Sequence, residues 1–230
     1  MNYAFMLNLK FRMSLGLQSL NRIDVYGYFL IQPIDIEPKK GYSMNADKIV
    51  VGLAGMPGSG KSLIVDTAQE LGYAIVVMGD VIREETVKRG LDLTPANVGK
   101  VMLQLRADGG NTVVAQKCIP KIENQSAGKV LVDGLRSHFE VDAFKIYFKH
   151  FSVMAVHASP ETRFSRLSNR RRSDDPSGWE VFHDRDVREL SVGLGNVIAL
   201  SELMIINEDS AEEVKGQVLN CLQRIEQKWK

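Results

Sequence analysis

The chain has 230 residues, with 29 lysines and arginines against 28 acids, so its formal charge is +1. Near-neutrality removes any global electrostatic bias toward nucleic acid or acidic membranes, and no apolar run approaches the roughly eighteen residues needed to span a bilayer. The two cysteines, Cys118 and Cys221, stand far apart and outside any C-x-x-C or His/Cys cluster. That argues against a disulfide framework or a thiolate metal site and predicts buried thiols in a cytoplasmic protein.

Residues 1–43 are rich in Leu, Phe, Tyr and Met, carry Pro33 and Pro38 in their later half, and have few acids. They lack the long apolar centre and small-residue cleavage site of a secretory signal. Two readings are open: a weak transit-like or amphipathic extension, or translation from an upstream start. Met44 stands directly before Asn45-Ala46-Asp47-Lys48 and the first predicted strand, where a compact domain would begin. The expected organisation is an extension over 1–44 and one domain over 45–230.

Ile49-Val50-Val51-Gly52-Leu53-Ala54 is a β-branched run of the kind that fills a parallel sheet. Directly after it, Gly55-Met56-Pro57-Gly58-Ser59-Gly60-Lys61-Ser62 fits G-x-x-x-x-G-K-S/T, the phosphate-binding loop, at every fixed position. Gly55, Gly58 and Gly60 are expected to allow backbone conformations that side chains forbid. Successive N–H groups can then turn inward onto phosphate oxygens at the positive end of the next helix. In such a loop Lys61 reaches the β- and γ-phosphates and the Ser62 hydroxyl helps to hold Mg²⁺. Leu63 to Leu71 has apolar residues at helical spacing and stops at Gly72. The motif therefore predicts a nucleoside-triphosphate site with Mg²⁺.

Four further strands are predicted, at 73–78, 129–133, 151–157 and 203–207, separated by helical stretches. Five short apolar runs alternating with helices predict an α/β fold, a three-layer sandwich around a five-stranded parallel sheet. The run into Asp133 has the pattern of a strand whose terminal carboxylate holds Mg²⁺ through water. His157, closing an apolar strand, reads as a packed histidine. A final helix from about Ser210 to Gln227 puts Val214, Val218, Leu219, Leu222 and Ile225 on one face. Between Thr94 and Glu123, Asn97, Gln104 and Arg106 interrupt otherwise apolar helical spacing.

With those residues in view, the chain resembles the adenylate-kinase and dephospho-CoA-kinase branch of P-loop kinases. Met78-Gly79-Asp80-Val81-Ile82-Arg83 resembles the Gly-Asp-x-x-Arg segment of nucleoside monophosphate kinases, which implies that Arg83 grips an acceptor phosphate. Asp133-Gly134-Leu135-Arg136 resembles their Asp-Gly-Phe-Pro-Arg segment, one residue shorter. Ser159 to Leu167 resembles the helix leading to their lid, and Arg170 to Pro176 a short lid. The chain is more similar still to an archaeal family of adenylate-kinase-related or dephospho-CoA-kinase-like ATPases. That family shares D-G-x-R-S, H-A-S-P-E-T-R-F and R-S-D-D-P, together with the stretch from Arg185 to Leu200. The match runs from Lys48 to the end.

The resemblance implies a helical acceptor-binding insertion at about 80–128, an Arg-rich lid at about 168–185, and phosphoryl transfer from ATP to a nucleotide or nucleotide-like acceptor. Lys61 and Mg²⁺ would then serve the donor, and Arg83 and Arg136 the anionic acceptor. Asp80 would either orient an acceptor hydroxyl or be structural. Many of the arginines from Arg163 to Arg188 are expected to lie on a solvated face. Arg166, Arg172, Arg185 and Arg188 are expected to contribute to the site, Arg166 on the donor side. Arg185 and Arg188, one turn apart, should share a helix face. The expected partner is a small molecule, with no membrane and no nucleic acid. The competing expectation is an ATPase switch acting on a protein or ribonucleoprotein. A GTPase is disfavoured because no Asn-Lys-x-Asp guanine-reading motif occurs.

Overall fold

The computed structural model describes residues 48–170 and 175–230. The expected extension over 1–44, the alternative start at Met44 and the lid residue Arg172 lie outside the described residues. Strand β1 is Ile49–Ala54, β2 Ala74–Val77, β3 Lys129–Leu135, β4 His150–His157 and β5 Leu203–Ile206. All pairings are parallel, and the order is β2-β3-β1-β4-β5. The central strands are β-branched and aliphatic because helices cover both of their faces, leaving no side that must meet water.

The helices are α1 (Lys61–Glu70), α2 (Met78–Lys88), α3 (Pro95–Gly109), α4 (Val113–Glu123), α5 (His138–Tyr147), α6 (Pro160–Arg170), α7 (Trp179–Ser191), α8 (Leu194–Ala199) and α9 (Ala211–Lys228). On one face Val51, Leu53, Leu131, Met154 and Ile205 pack against Ile64 and Ala68 of α1 and Val214, Val218 and Leu222 of α9. On the other face Phe144 of α5 meets Phe151 of β4 at 5.6 Å between ring centroids. Burying each such side chain stabilises the fold by about 1.5–3 kcal/mol. Helix α2 packs against α3 and α4, beyond the β2 side of the sheet. Among the described residues, no helix is long and apolar enough to cross a membrane.

Helix ends follow local chemistry. Gly72 closes α1 at φ 82°, with Gly72 N–H on Gln69 O and Tyr73 N–H on Ala68 O, the paired bonds of a Schellman stop. Helix α9 starts at a capping box of Ser210 and Glu213. Its buried stripe is Val214, Val218, Cys221, Leu222 and Ile225, while Leu219 is exposed, against the expectation from spacing. Leu219 stands at the rim, one helical step past Val218. His157 is exposed too, because β4 has reached the open end of the sheet there, so it is not a packed histidine. Both cysteines are free and buried, as expected.

The sheet order places β1 at the centre, between strands entered from opposite directions, with its carboxyl end at the crevice where open α/β sheets bind ligands. Beside it, β3 runs two residues beyond the expected Asp133. The register jumps from Leu53 opposite Asp133 to Ala54 opposite Leu135, leaving Gly134 unpaired at φ 104°. This bulge bends the strand where Asp133 and Arg136 leave it.

Candidate functional site

The loop Gly55–Gly60 joins β1 to α1 at that crevice. Gly58 and Gly60 lie in the left-handed region, at φ 80° and 92°, and Ser59 N–H donates to Met56 O at 3.1 Å. Gly55 serves differently from expectation. It needs space rather than an unusual φ, since a Cβ there would stand 2.7 Å from both Ser59 Oγ and Val156 Cγ1. Helix α1 has no side-chain cap, so the first N–H groups remain available to an anion.

Lys61 Nζ arches over the loop, donating to Gly55 O at 2.6 Å and Met56 O at 3.4 Å. Burial holds its ammonium below the ordinary pKa, opposed chiefly by the charge of Asp133. Burial likewise pushes the Asp133 carboxyl above its ordinary range, against the pull of Lys61 and Arg136. Asp133 Oδ1 and Ser59 Oγ are buried without a hydrogen-bond partner among the described residues. Unpartnered buried polar atoms are rare and costly, so an oxygen facing Lys61 fits a hydrated cation brought in with a ligand. Ser62, in the first turn of α1, keeps its side chain exposed.

On the β2 side, Asp80 lies in the first turn of α2 and pairs with Arg83 one turn later, both about half exposed. Arg136 follows β3, its guanidinium 3.4 Å from Glu189 of α7. Its backbone N–H donates to Glu140 Oε2 at 2.8 Å. Glu140 is buried, caps α5 together with Ser137, and accepts from Arg106 of α3 at 3.3 Å. Arg106 is therefore engaged with the strand β3 exit. Gln104 accepts from Arg89 at 2.9 Å, and Asn97 N–H donates to the Thr94 cap at 3.2 Å.

Helix α6 sends two arginines back to the loop. Arg163 is buried and donates to Pro57 O at 3.2 Å and Ala158 O at 3.2 Å, while forming a bidentate pair with Asp186 of α7. The Phe182 ring lies 4.9 Å from the same guanidinium. Arg166 Nη2 donates to Asn207 O and Oδ1, and its Nη1 is buried without a hydrogen-bond partner among the described residues. Arg170 pairs with Asp175.

Arg185 lies within charge range of Lys61. Arg188 instead donates to Asp184 O at 3.3 Å and lines a surface hollow with Val181, Asp184 and Val187. Arg185 and Arg188 stand three residues apart on α7, the spacing that puts two residues on one helix face. The charges of Asp133, Arg136 and Arg185 act on Lys61, and the Arg166 guanidinium stands beside Gly60 of the loop.

Sequence reasoning passed over Asn207, Asp186, Glu189 and Glu140. Asn207 was visible only as a polar residue closing a strand, and Glu140 as the third residue of a capping box after Ser137. Asp186 and Glu189 gave no signal beyond three-residue spacing on α7.

Residues 54–183 match the AAA domain family. The chain is 45% identical over 179 residues to the UPF0200 protein of Methanocaldococcus jannaschii, covering 77% of this chain and 90% of the relative. The chain belongs to the UPF0200 family. A second archaeal UPF0200 protein, from Hyperthermus butylicus, is 45% identical over 180 residues, covering 78% of this chain and 96% of the relative. Shikimate kinase from Bacteroides thetaiotaomicron shares the fold at a TM-score of 0.54 with 14% identity, over 77% of this chain and 98% of that one. This UPF0200 chain is thus an α/β protein with a P-loop nucleotide-binding domain, related in fold to small-molecule kinases.

Proposed function

We propose that the protein is an ATP-dependent kinase that transfers the γ-phosphoryl group to a nucleotide or nucleotide-like acceptor, of the nucleoside monophosphate or dephospho-CoA type. The observation that carries this reading is the convergence of Lys61 on the loop with the buried, unpartnered Oδ1 of Asp133. Ser62 and Asp133 would hold Mg²⁺, which neutralises charge on the transferred group. Lys61 and the backbone N–H groups of the loop and the first turn of α1, those of Gly58, Gly60 and Ser62 among them, bind and orient the triphosphate. Arg166 adds a cation on the donor side.

The acceptor oxygen attacks the γ-phosphorus in line, and the bond to the β–γ bridging oxygen breaks, so ADP leaves. Charge builds on the equatorial oxygens, which fixed cations stabilise without reorganisation. Arg136 and Arg83 serve the acceptor, with α2 to α4 forming its side of the cleft. Their present carboxylate partners, Glu189 and Asp80, are displaced by an incoming phosphate. Asp80 becomes free to orient an acceptor hydroxyl when the acceptor has one. Arg185, whose charge acts on Lys61, adds a further cation on the donor side.

An acceptor screen tests this. The protein is given ATP and Mg²⁺ with AMP, the other monophosphates or dephospho-CoA, and ADP and phosphorylated product are both measured. Acceptor-stimulated ADP release matched by product is expected. Slow release, indifferent to every acceptor, would instead favour an ATPase acting on a macromolecule.

A further inference from the structure

We propose that Asn207 is a positioning residue of the nucleotide site, locking the phosphate-binding loop and the Arg166 guanidinium into one fixed relation. The proposal rests on the nucleotide-binding reading above and adds a residue to it. Asn207 directly follows β5, and its N–H donates to His157 O at 2.8 Å, extending the sheet by one bond. The residue is 4% exposed. Its Nδ2 donates to Ser59 O at 2.9 Å, inside the loop. Its Oδ1 and backbone O accept from Arg166 Nη2 at 3.1 and 3.0 Å. A carbonyl needs a donor and a guanidinium an acceptor, and a primary amide offers both on one short rigid group. Aspartate lacks the donor.

Arg166 Nη1 is what this arrangement delivers. It is buried, has no partner among the described residues, and stands 3.6 Å from where a Cβ on Gly60 would be. A charged N–H left unsatisfied inside a protein is expensive. With Nη2 tied back to Asn207, Nη1 is held beside Gly60 of the loop that cradles phosphate. Gly60 belongs to the same device: a Cβ there would meet Asn207 Nδ2 at 2.0 Å, so any side chain at 60 would break the clamp. The ligand it fits is a polyphosphate oxygen, not the nucleoside.

The test is a double-mutant cycle on the full chain, with Arg166→Met, Asn207→Ala and the double variant. Binding of ATP, ADP and adenosine is measured by calorimetry or competition. Each single substitution is expected to weaken ATP and ADP about tenfold, a typical loss for one charge-assisted contact. The double variant should be no weaker than either single, and adenosine binding should be unchanged. Additive losses near 100-fold, or equal weakening of adenosine, would overturn the proposal by showing that Asn207 acts independently or only through the fold. If Asn207→Ala does not fold, Asn207→Ser, which retains a small donor and acceptor, enters the same cycle with the same criteria. Failure of the unaltered protein to bind ATP would remove the nucleotide reading itself, and this proposal with it.

Discussion

Arg163 and Asp186 form a bidentate ion pair across two helices, Nη1 to Oδ1 at 2.8 Å and Nη2 to Oδ2 at 2.5 Å. Both side chains are largely withdrawn from water, at 5% and 14% exposure. Because Arg163 also holds Pro57 O, the pair ties α7 to the wall of the phosphate loop.

Removing the anion should therefore cost more than removing a surface charge. Asp186→Ala leaves a buried guanidinium without its counter-charge, and the expected loss is about 3–5 kcal/mol of stability. Urea unfolding measures it. A loss below about 1 kcal/mol, the range of exposed pairs, would mean that the pair is solvent-screened and does not tie α7 to the loop.

The part of this arrangement that could be read along the chain is the part that is local. The glycine-rich loop carries its mechanism in eight consecutive residues, and the five β-branched runs announce a parallel sheet because each is short, apolar and followed by a helix. The clamp and the buried pair were illegible for the opposite reason. Asn207 meets Ser59 across 148 positions and Arg163 meets Asp186 across 23, and nothing in local spacing distinguishes those acids and amides from solvated ones. Leu219 and His157 misled because period alone does not say where a helix stripe or a strand runs out of cover.

Lys61→Met tests the loop and its electrostatics together. Burial lowers the Lys61 pKa, so between the folded and unfolded pKa values the unfolded chain holds more protons. Stability from this group therefore rises with pH up to the unfolded value and is reduced below it. The variant should lose nucleotide-dependent stabilisation while its ligand-free form at neutral pH is at least as stable as the natural protein. Its rise in stability across the alkaline range should be smaller. Thermal melts against pH, with and without ATP and Mg²⁺, measure both effects. An unchanged nucleotide shift in the folded variant would contradict the role of Lys61.

Glu140 holds three elements: it caps α5, accepts the Arg136 N–H and pairs with Arg106. Glu140→Ala should cost about 3 kcal/mol, combining a lost cap of about 1 kcal/mol with an unpaired, mostly buried arginine. Glu140→Gln, which keeps an acceptor for the cap, should cost less. Denaturant unfolding of the two variants checks the order, and equal losses would show that the cap contributes nothing.

Burial pushes the Cys118 thiol up to about 12. The thiolate is the reactive form, so Cys118 should stay unmodified in the native protein from pH 7 to 9 and react once the chain is denatured. A thiol assay with and without guanidinium decides this. Rapid native labelling of Cys118, located by peptide mass, would contradict its place in the core.

The central claim is that the γ-phosphoryl group of ATP passes to a small acceptor. The most direct measurement follows γ-labelled ATP with Mg²⁺ and each candidate acceptor, and asks where the label goes. Label in a phosphorylated acceptor, lost in Lys61→Met, is the predicted result. Label appearing only as inorganic phosphate, at a rate no acceptor changes, would contradict it.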